Sequence, residues 1–286
     1  MEYSVLNTGA KMPMVGLGVY LIKDEEECRN AVLNAIKTGY RLIDTAAYYE
    51  NEEAVGKAVR EAISEGIVKR EELFITSKIW VQDMSDEGAR YAVDSSLSKL
   101  DLGYIDLYLI HQAMGDYFSA YRVLEENYRS GVLKAIGVSN FYPWTLTNFC
   151  ETVEIIPAVN QIELHPFLAQ PLALETAGYY GVVPQAWGPL GQNRFPLFED
   201  EGLLKIAENK GKSVAQVVLK WNIQRGVPVI PKSTHKERIK ENFDLFGFVL
   251  NEEEMNYISS LDRGYHAGIK HFRPEFVRDF LGRKIH

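Results

Sequence analysis

Tyr40-Arg-Leu-Ile-Asp44, Leu73-Phe-Ile-Thr-Ser-Lys78 and Ile105-Asp-Leu-Tyr-Leu-Ile-His111 are short apolar runs that each close on a titratable side chain. Charged groups are seldom buried for packing reasons alone. In a chain that repeats strand and helix, such strand ends can converge on one face of a parallel barrel. Tyr49 follows Asp44 by five residues, in Asp-Thr-Ala-Ala-Tyr-Tyr-Glu-Asn. A carboxylate, an ammonium, an imidazole and a phenol gathered at one face predict a proton-transfer site. Singly, each has a simpler account: Asp44 as a helix cap, Lys78 as a solvent-facing side chain, one of Tyr48 and Tyr49 as packing. Spacing alone does not choose between the two tyrosines, and the joint pattern carries the expectation.

Outward from these three, apolar runs recur at 15–17, 42–43, 73–75, 107–110, 135–138, 158–162, 182–186 and 227–230. Between them lie segments of helical period, with Cys28, Ala31, Val32 and Ala35, then Val55, Ala58, Val59 and Ala62, then Ala89, Ala92, Val93 and Ser96/Leu97 on one face each. Asp24 and Asp86 read as N-caps, and Gly39, Gly66, Gly103 and Gly131 follow helix ends. Eight strand–helix units in one chain predict an α/β fold, a (β/α)8 barrel, over an open doubly wound sheet. Residues 3–6 and 11–14 flank Asn7-Thr8-Gly9 and predict an N-terminal β-hairpin at the barrel floor. No Pro/Gly/Ser linker divides the chain, so residues 1–286 are expected to form a single domain. A further helix is predicted near 252–261. The segment beyond it, with His271, Phe272, Arg273, Phe276, Arg278 and Phe280, is expected either to fold over a barrel end or to be a loosely ordered terminus.

The chain has 286 residues, 46% hydrophobic and 24% charged, the balance of an ordinary globular protein. A net charge of −8 argues against a nucleic-acid partner, which needs a basic face. Two cysteines, Cys28 and Cys150, make neither a disulfide framework nor a zinc site and suit a reducing compartment. The first residues show no secretory pattern and no run approaches a membrane span, so a cytoplasmic protein without membrane partners, and a monomer, is expected.

The chain resembles the aldo-keto reductases. The resemblance rests on Asp44-Thr-Ala-x-x-Tyr49-x-Asn-Glu, Ser77-Lys78, Ile110-His111, Gly137-Val-Ser139-Asn140-Phe, Asn160-Gln161-Ile-Glu-Leu-His-Pro, Gly188-Pro-Leu-Gly and Ile230-Pro-Lys232-Ser233-Thr234, in the family's order over almost the whole chain. It implies a (β/α)8 barrel with a floor hairpin and the reduction of aldehydes and ketones with NADPH, without metal or flavin. It also selects Tyr49 over Tyr48.

Carbonyl reduction needs a hydride on carbon and a proton on the developing alkoxide. Tyr49 can give the proton, but a free phenol is a weak acid near neutrality. A cation beside it lowers its pKa, and Lys78 is the candidate. Buried Lys78 keeps its charge only with a carboxylate partner, which Asp44 supplies. His111 orients the carbonyl oxygen, most usefully as a neutral imidazole. The resemblance gives these four positions the same roles.

The nicotinamide side is expected at Ser139, Asn140 and Gln161, whose groups suit a carboxamide with two donors and one acceptor. A cap ahead of Pro143 is the simpler reading of Ser139-Asn140. Gly137-x-Ser139 is half of a hydrolase elbow, but Phe141 stands where the second glycine belongs. Trp187 takes the place of the aromatic on which the family stacks its nicotinamide. No Gly-x-Gly-x-x-Gly follows a strand, since Gly16-x-Gly18 lacks the third glycine. The backbone of Gly188, Leu190 and Gly191 is therefore assigned to the pyrophosphate. Lys232, Ser233, Thr234 and Arg238 are assigned to a ribose 2′-phosphate, and Glu241 and Asn242 to adenine.

Tyr20, Trp80 and Gln112 match pocket positions for a small-molecule carbonyl substrate. Ala113 stands where the family often has proline. Glu163 and His165 hint at a metal, but no third ligand is evident and none is expected. A Schiff-base aldolase using Lys78 as nucleophile, and a non-catalytic cofactor-binding barrel, are the competing readings. Asp44 opposes the first by holding Lys78 protonated. The complete set of four opposes the second.

Overall fold

The computed structural model describes residues 2–268, 270–271 and 273–286; Phe272, named above, lies outside them. Strands β1 (Tyr3–Val5) and β2 (Lys11–Pro13) form an antiparallel hairpin. Seven parallel strands come next, in sequential order: β3 (Gly16–Gly18), β4 (Leu42–Asp44), β5 (Phe74–Ile79), β6 (Leu107–Ile110), β7 (Ile136–Ser139), β8 (Val159–Glu163) and β9 (Val183–Trp187). The eighth run joins the sheet through bridges only. Val229 pairs with both Val15 and Ala186, and Lys232 with Gly18, so the run closes the ring. Pro228 and Pro231 explain why it is no longer ladder, because each lacks the N–H a ladder needs.

Strands β3 to β8 are buried on both faces, as parallel barrel strands are, and β9 is partly buried. Leu42, Phe74, Leu107, Leu109, Ala135, Ala158, Val159 and Ile230 form one buried cluster with Leu6 and Met12 of the hairpin, which therefore stoppers the floor. Two sequence motifs acquire plain packing reasons. A Cβ on Gly18 would sit 2.8 Å from the Ile230 carbonyl oxygen, and one on Gly137 would sit 2.5 Å from that of Val159.

Helices α1 (Glu25–Thr38), α2 (Glu52–Ser64), α3 (Asp86–Leu100), α4 (Tyr117–Ser130), α5 (Pro143–Cys150) and α6 (Pro171–Tyr179) alternate with the strands, and the buried faces of the first three keep the predicted periods. Asp24 caps α1 by accepting from Glu27 N at 2.8 Å. The cap of α3 is Ser85, not Asp86: Ser85 is extended and its hydroxyl accepts from Gly88 N at 3.0 Å. Asp86 lies one residue inside, where its charge still favours the helix N-terminus. After β9 come α7 (Glu201–Lys210), α8 (Val214–Gln224), α9 (Lys236–Phe243) and α10 (Glu252–Ser260). Last is α11 (Pro274–Gly282), which the tail lays back over the barrel, with Trp80 Nε1 donating to Arg283 O at 3.0 Å. Cys28 and Cys150 are free and buried. Among the described residues no helix is long and apolar enough to cross a membrane.

Candidate active site

Three strand ends deliver the centre of the site. Lys78, near the end of β5, is fully buried and donates from Nζ to Asp44 Oδ1 at 2.6 Å, to Thr45 O at 2.8 Å and to Tyr49 Oη at 3.4 Å. Three hydrogen bonds fill the donor capacity of an ammonium, so the geometry is that of a charged lysine. Asp44, at the end of β4, uses its other oxygen to accept from Gln161 Nε2 at 2.7 Å. Burial pushes Asp44 up and Lys78 down, while their pairing opposes both shifts. Tyr49 comes from a single helical turn after β4, held by Asn51, whose amide donates to Val19 O and Ile22 O.

The expectation that Lys78 lowers the Tyr49 phenol does not hold in this structure. Burial, and then the charge of Asp44, hold Tyr49 well above its ordinary value. The cation beside it already has a carboxylate at closer range, and the half-buried ring lies against that sealed pair. His111, just past β6, meets Tyr49 edge-on with ring centroids 5.6 Å apart. Burial, and secondarily Lys78, hold it well below the ordinary histidine value, so its imidazole is neutral.

Ser139, Asn140 and Gln161 lie together beside this centre. Asn140 takes left-handed backbone, φ 64°, which asparagine tolerates. Its amide donates to His111 O at 3.1 Å and to Ser139 Oγ at 3.0 Å, while its oxygen accepts from Trp187 Nε1 at 2.9 Å. Ser139 donates to Gln161 O at 2.8 Å. Neither Ser139 nor Asn140 caps α5, because the cap position is Tyr142, without a side-chain bond. Gly188 and Gly191 adopt φ 57° and 66° around half-buried Leu190, and Gly191 N donates to Gly188 O at 2.8 Å, closing a tight turn after β9.

Lys232 and Arg238 are exposed near the start of α9, Ser233 is buried and Thr234 half-buried. No described carboxylate pairs with either cation. Glu241 already accepts from Ser213 Oγ, and Asn242 is buried.

Of the pocket candidates, Tyr20 is 38% exposed and its ring lies 5.0 Å from that of Tyr49. Trp80 and Gln112 are sealed. Tyr48 stacks on Trp80 at 3.9 Å and Phe280 lies 5.7 Å away, while Gln112 Oε1 meets His271 Nε2 at 2.8 Å. Glu163 and His165 pair at 3.2 Å, and Glu163 also meets His266 and accepts from Ala267 N, so this pair fastens the tail. Among the described residues no cluster of three or more His, Cys, Asp or Glu side chains is arranged to hold a metal.

Sequence reasoning missed Gln185, whose Oε1 accepts from Gln161 Nε2 at 2.7 Å, and Arg283, which donates to Tyr48 Oη at 2.8 Å. Gln185 did leave a signal, as the lone amide inside an apolar run. Arg283 left none.

The protein is a closed parallel barrel whose strand ends unite a buried lysine–carboxylate pair, a phenol and a neutral imidazole. The chain matches the model of the aldo/keto reductase family over residues 15–263 and belongs to that family. It is 45% identical over 264 residues to a glyoxal reductase of Bacillus subtilis, covering 92% of this chain and 94% of that one. To the methylglyoxal reductase DkgA of Escherichia coli it is 40% identical over 266 residues, 92% of this chain and 94% of the other. Among solved structures, a Bombyx mori aldo-keto reductase in complex with NADP aligns with TM-score 0.89 at 36% identity, covering 93% of this chain and 95% of that one.

Proposed function

We propose that this protein is an NADPH-dependent carbonyl reductase in which Tyr49 is the general acid. The carrying observation is the position of Lys78 Nζ, 2.6 Å from Asp44 and 3.4 Å from Tyr49 Oη, beside a neutral His111. NADPH, when bound, supplies the hydride. Tyr49 gives its proton to the developing alkoxide, and the resulting phenolate forms next to the Lys78 ammonium, which stabilises it. Asp44 keeps Lys78 charged through that change. His111, an imidazole with one N–H, fixes the carbonyl oxygen without competing as an acid. The raised phenol keeps Tyr49 protonated until the reaction demands its proton.

The residues present fit this cofactor. Lys232 and Arg238 offer cations free of carboxylates to a phosphate in an otherwise acidic protein. Ser233 and Thr234 add hydroxyls, Gly188 to Gly191 a bare backbone turn, and Trp187 an aromatic face. Glu241 and Asn242 serve the adenine side. Tyr20 lines the substrate side, with Trp80 and Gln112 behind it, covered by Tyr48 and the tail. The names of the two bacterial relatives put small aldehydes such as glyoxal and methylglyoxal first in an assay.

Tyr49→Phe tests the reading. Reduction of an aldehyde, followed by NADPH absorbance, should fall by about a thousandfold or more, within the range general acids supply. NADPH affinity should stay nearly unchanged. A variant that keeps its turnover, or loses its cofactor binding, contradicts the role.

A further inference from the structure

Gln161 gives both of its amide hydrogens to the protein, one to Asp44 Oδ2 and one to Gln185 Oε1, each at 2.7 Å. Gln185 is fully buried on β9 and turns its own amide nitrogen to Met12 Sδ of the hairpin, at 3.8 Å. This chain of contacts fixes which way Gln161 faces. Turned over, its carbonyl oxygen would oppose the carboxylate of Asp44 and the carbonyl of Gln185 together, a repulsive arrangement in a buried site. As held, Gln161 offers a ligand its Oε1 and nothing else, and no described group donates to that atom. Asn140 likewise gives both amide donors to the protein, and its oxygen already accepts from Trp187 Nε1. What this wall presents to a carboxamide is therefore acceptors, and the group they suit is its NH2.

We infer that Gln185 is a positioning residue for the cofactor. It never touches the ligand, but by accepting one hydrogen of Gln161 it turns the Gln161 oxygen towards the carboxamide NH2. This rests on the NADPH reading above and adds to it the atom that sets the orientation. Without the acceptor at 185, the amide of Gln161 has one hydrogen unmatched and is held by Asp44 alone, so its oxygen is aimed less firmly.

The test compares NADP+ with its 3-acetylpyridine analogue, which replaces the carboxamide NH2 by a methyl group. Binding is followed by quenching of tryptophan fluorescence, so no turnover is required. The parent chain should prefer NADP+ by about fivefold, the scale of one neutral hydrogen bond. Gln185→Leu should abolish most of that preference by weakening NADP+ while leaving the analogue alone. Gln185→Glu keeps an acceptor in either protonation state and should keep the preference. Should Gln185→Leu fail to fold, judged by circular dichroism, Gln185→Asn takes its place, since it keeps the amide but withdraws it by one methylene. Equal weakening of both ligands, or an intact preference in the Leu or Asn variant, overturns the inference. Failure of the parent chain to bind either ligand overturns the NADPH reading instead, and the inference with it.

Discussion

At the scale of single residues, Lys78 is the hub, because every proton it carries is bound by a group whose charge or position matters to the chemistry. The strand-end positions of Asp44, Lys78 and His111 were legible, since an ionisable residue closing an apolar run is visible in one sequence. The state of Tyr49 was not. Spacing shows that a cation can be near, but it does not show how far the phenol is buried or that a carboxylate is nearer to that cation, and those two facts set the phenol. Gln185 was hidden for a related reason. An amide inside Val-Val-Pro-Gln-Ala-Trp reads as an irregular strand residue until its partner from another strand is known. Arg238 lends itself to a direct measurement. Arg238→Ala should raise the dissociation constant of NADPH by about tenfold or more, the scale of a charge-assisted hydrogen bond. The constant for NADH, which lacks the phosphate, should hardly change. Equal losses in two titrations would remove Arg238 from the 2′-phosphate site.

At the scale of elements, helical period marked α1, α2 and α3, and the apolar runs marked all eight strand positions, yet nothing foresaw that the eighth joins its neighbours by isolated bridges. Two prolines interrupt the donors there, and closure depends on a few backbone bonds, such as Gly16 N to Val229 O at 2.8 Å and Val229 N to Met14 O at 2.9 Å. Gly18 sits at this seam, against the Ile230 carbonyl. Gly18→Ala should therefore cost about 1–3 kcal/mol, in the range of overpacked cores. It should also displace Lys232, which bridges to Gly18. A denaturant titration should show the lost stability and a binding titration weaker NADPH. An unchanged midpoint would mean that the seam yields without strain. The α3 cap teaches a smaller lesson: Ser85 and Asp86 are both good caps by composition, and only the backbone at Ser85 decides between them.

At the scale of the whole molecule, the tail is what the sequence left most open. It crosses the open end of the barrel and is fastened at Glu163, Gln112, Tyr48, Trp80 and Gln82. Two of these fastenings respond to acid differently. Burial, helped by the neighbouring His266, holds His271 down to about 4, so the docked imidazole is neutral. An undocked tail would take up a proton near the ordinary value of 6.5. Docking through His271 is thus at full strength above that value and weakens as the pH falls towards 4. Burial raises Glu163, but hydrogen bonds from His165 and His266 prevail and hold it to about 2, so its grip on Ala267 N outlasts that of His271 and weakens only below about 4.5. Amide hydrogen exchange in 263–286 should quicken between pH 7 and 5, after correction for intrinsic rates. In His271→Gln that pH dependence should largely vanish. A flat profile in the parent chain would contradict the assignment.

A barrel stoppered at the floor by Leu6 and Met12 leaves the end crossed by the tail as the way in. If Trp187 and Gln161 receive the nicotinamide and Tyr20 lies nearer the outside, cofactor and substrate share that doorway in sequence. The molecule that seats first against the inner wall is trapped behind the later arrival, and leaves after it. On that reading the hairpin, by closing the floor, sets an order of arrival and departure, and product-inhibition patterns should show cofactor first in and last out.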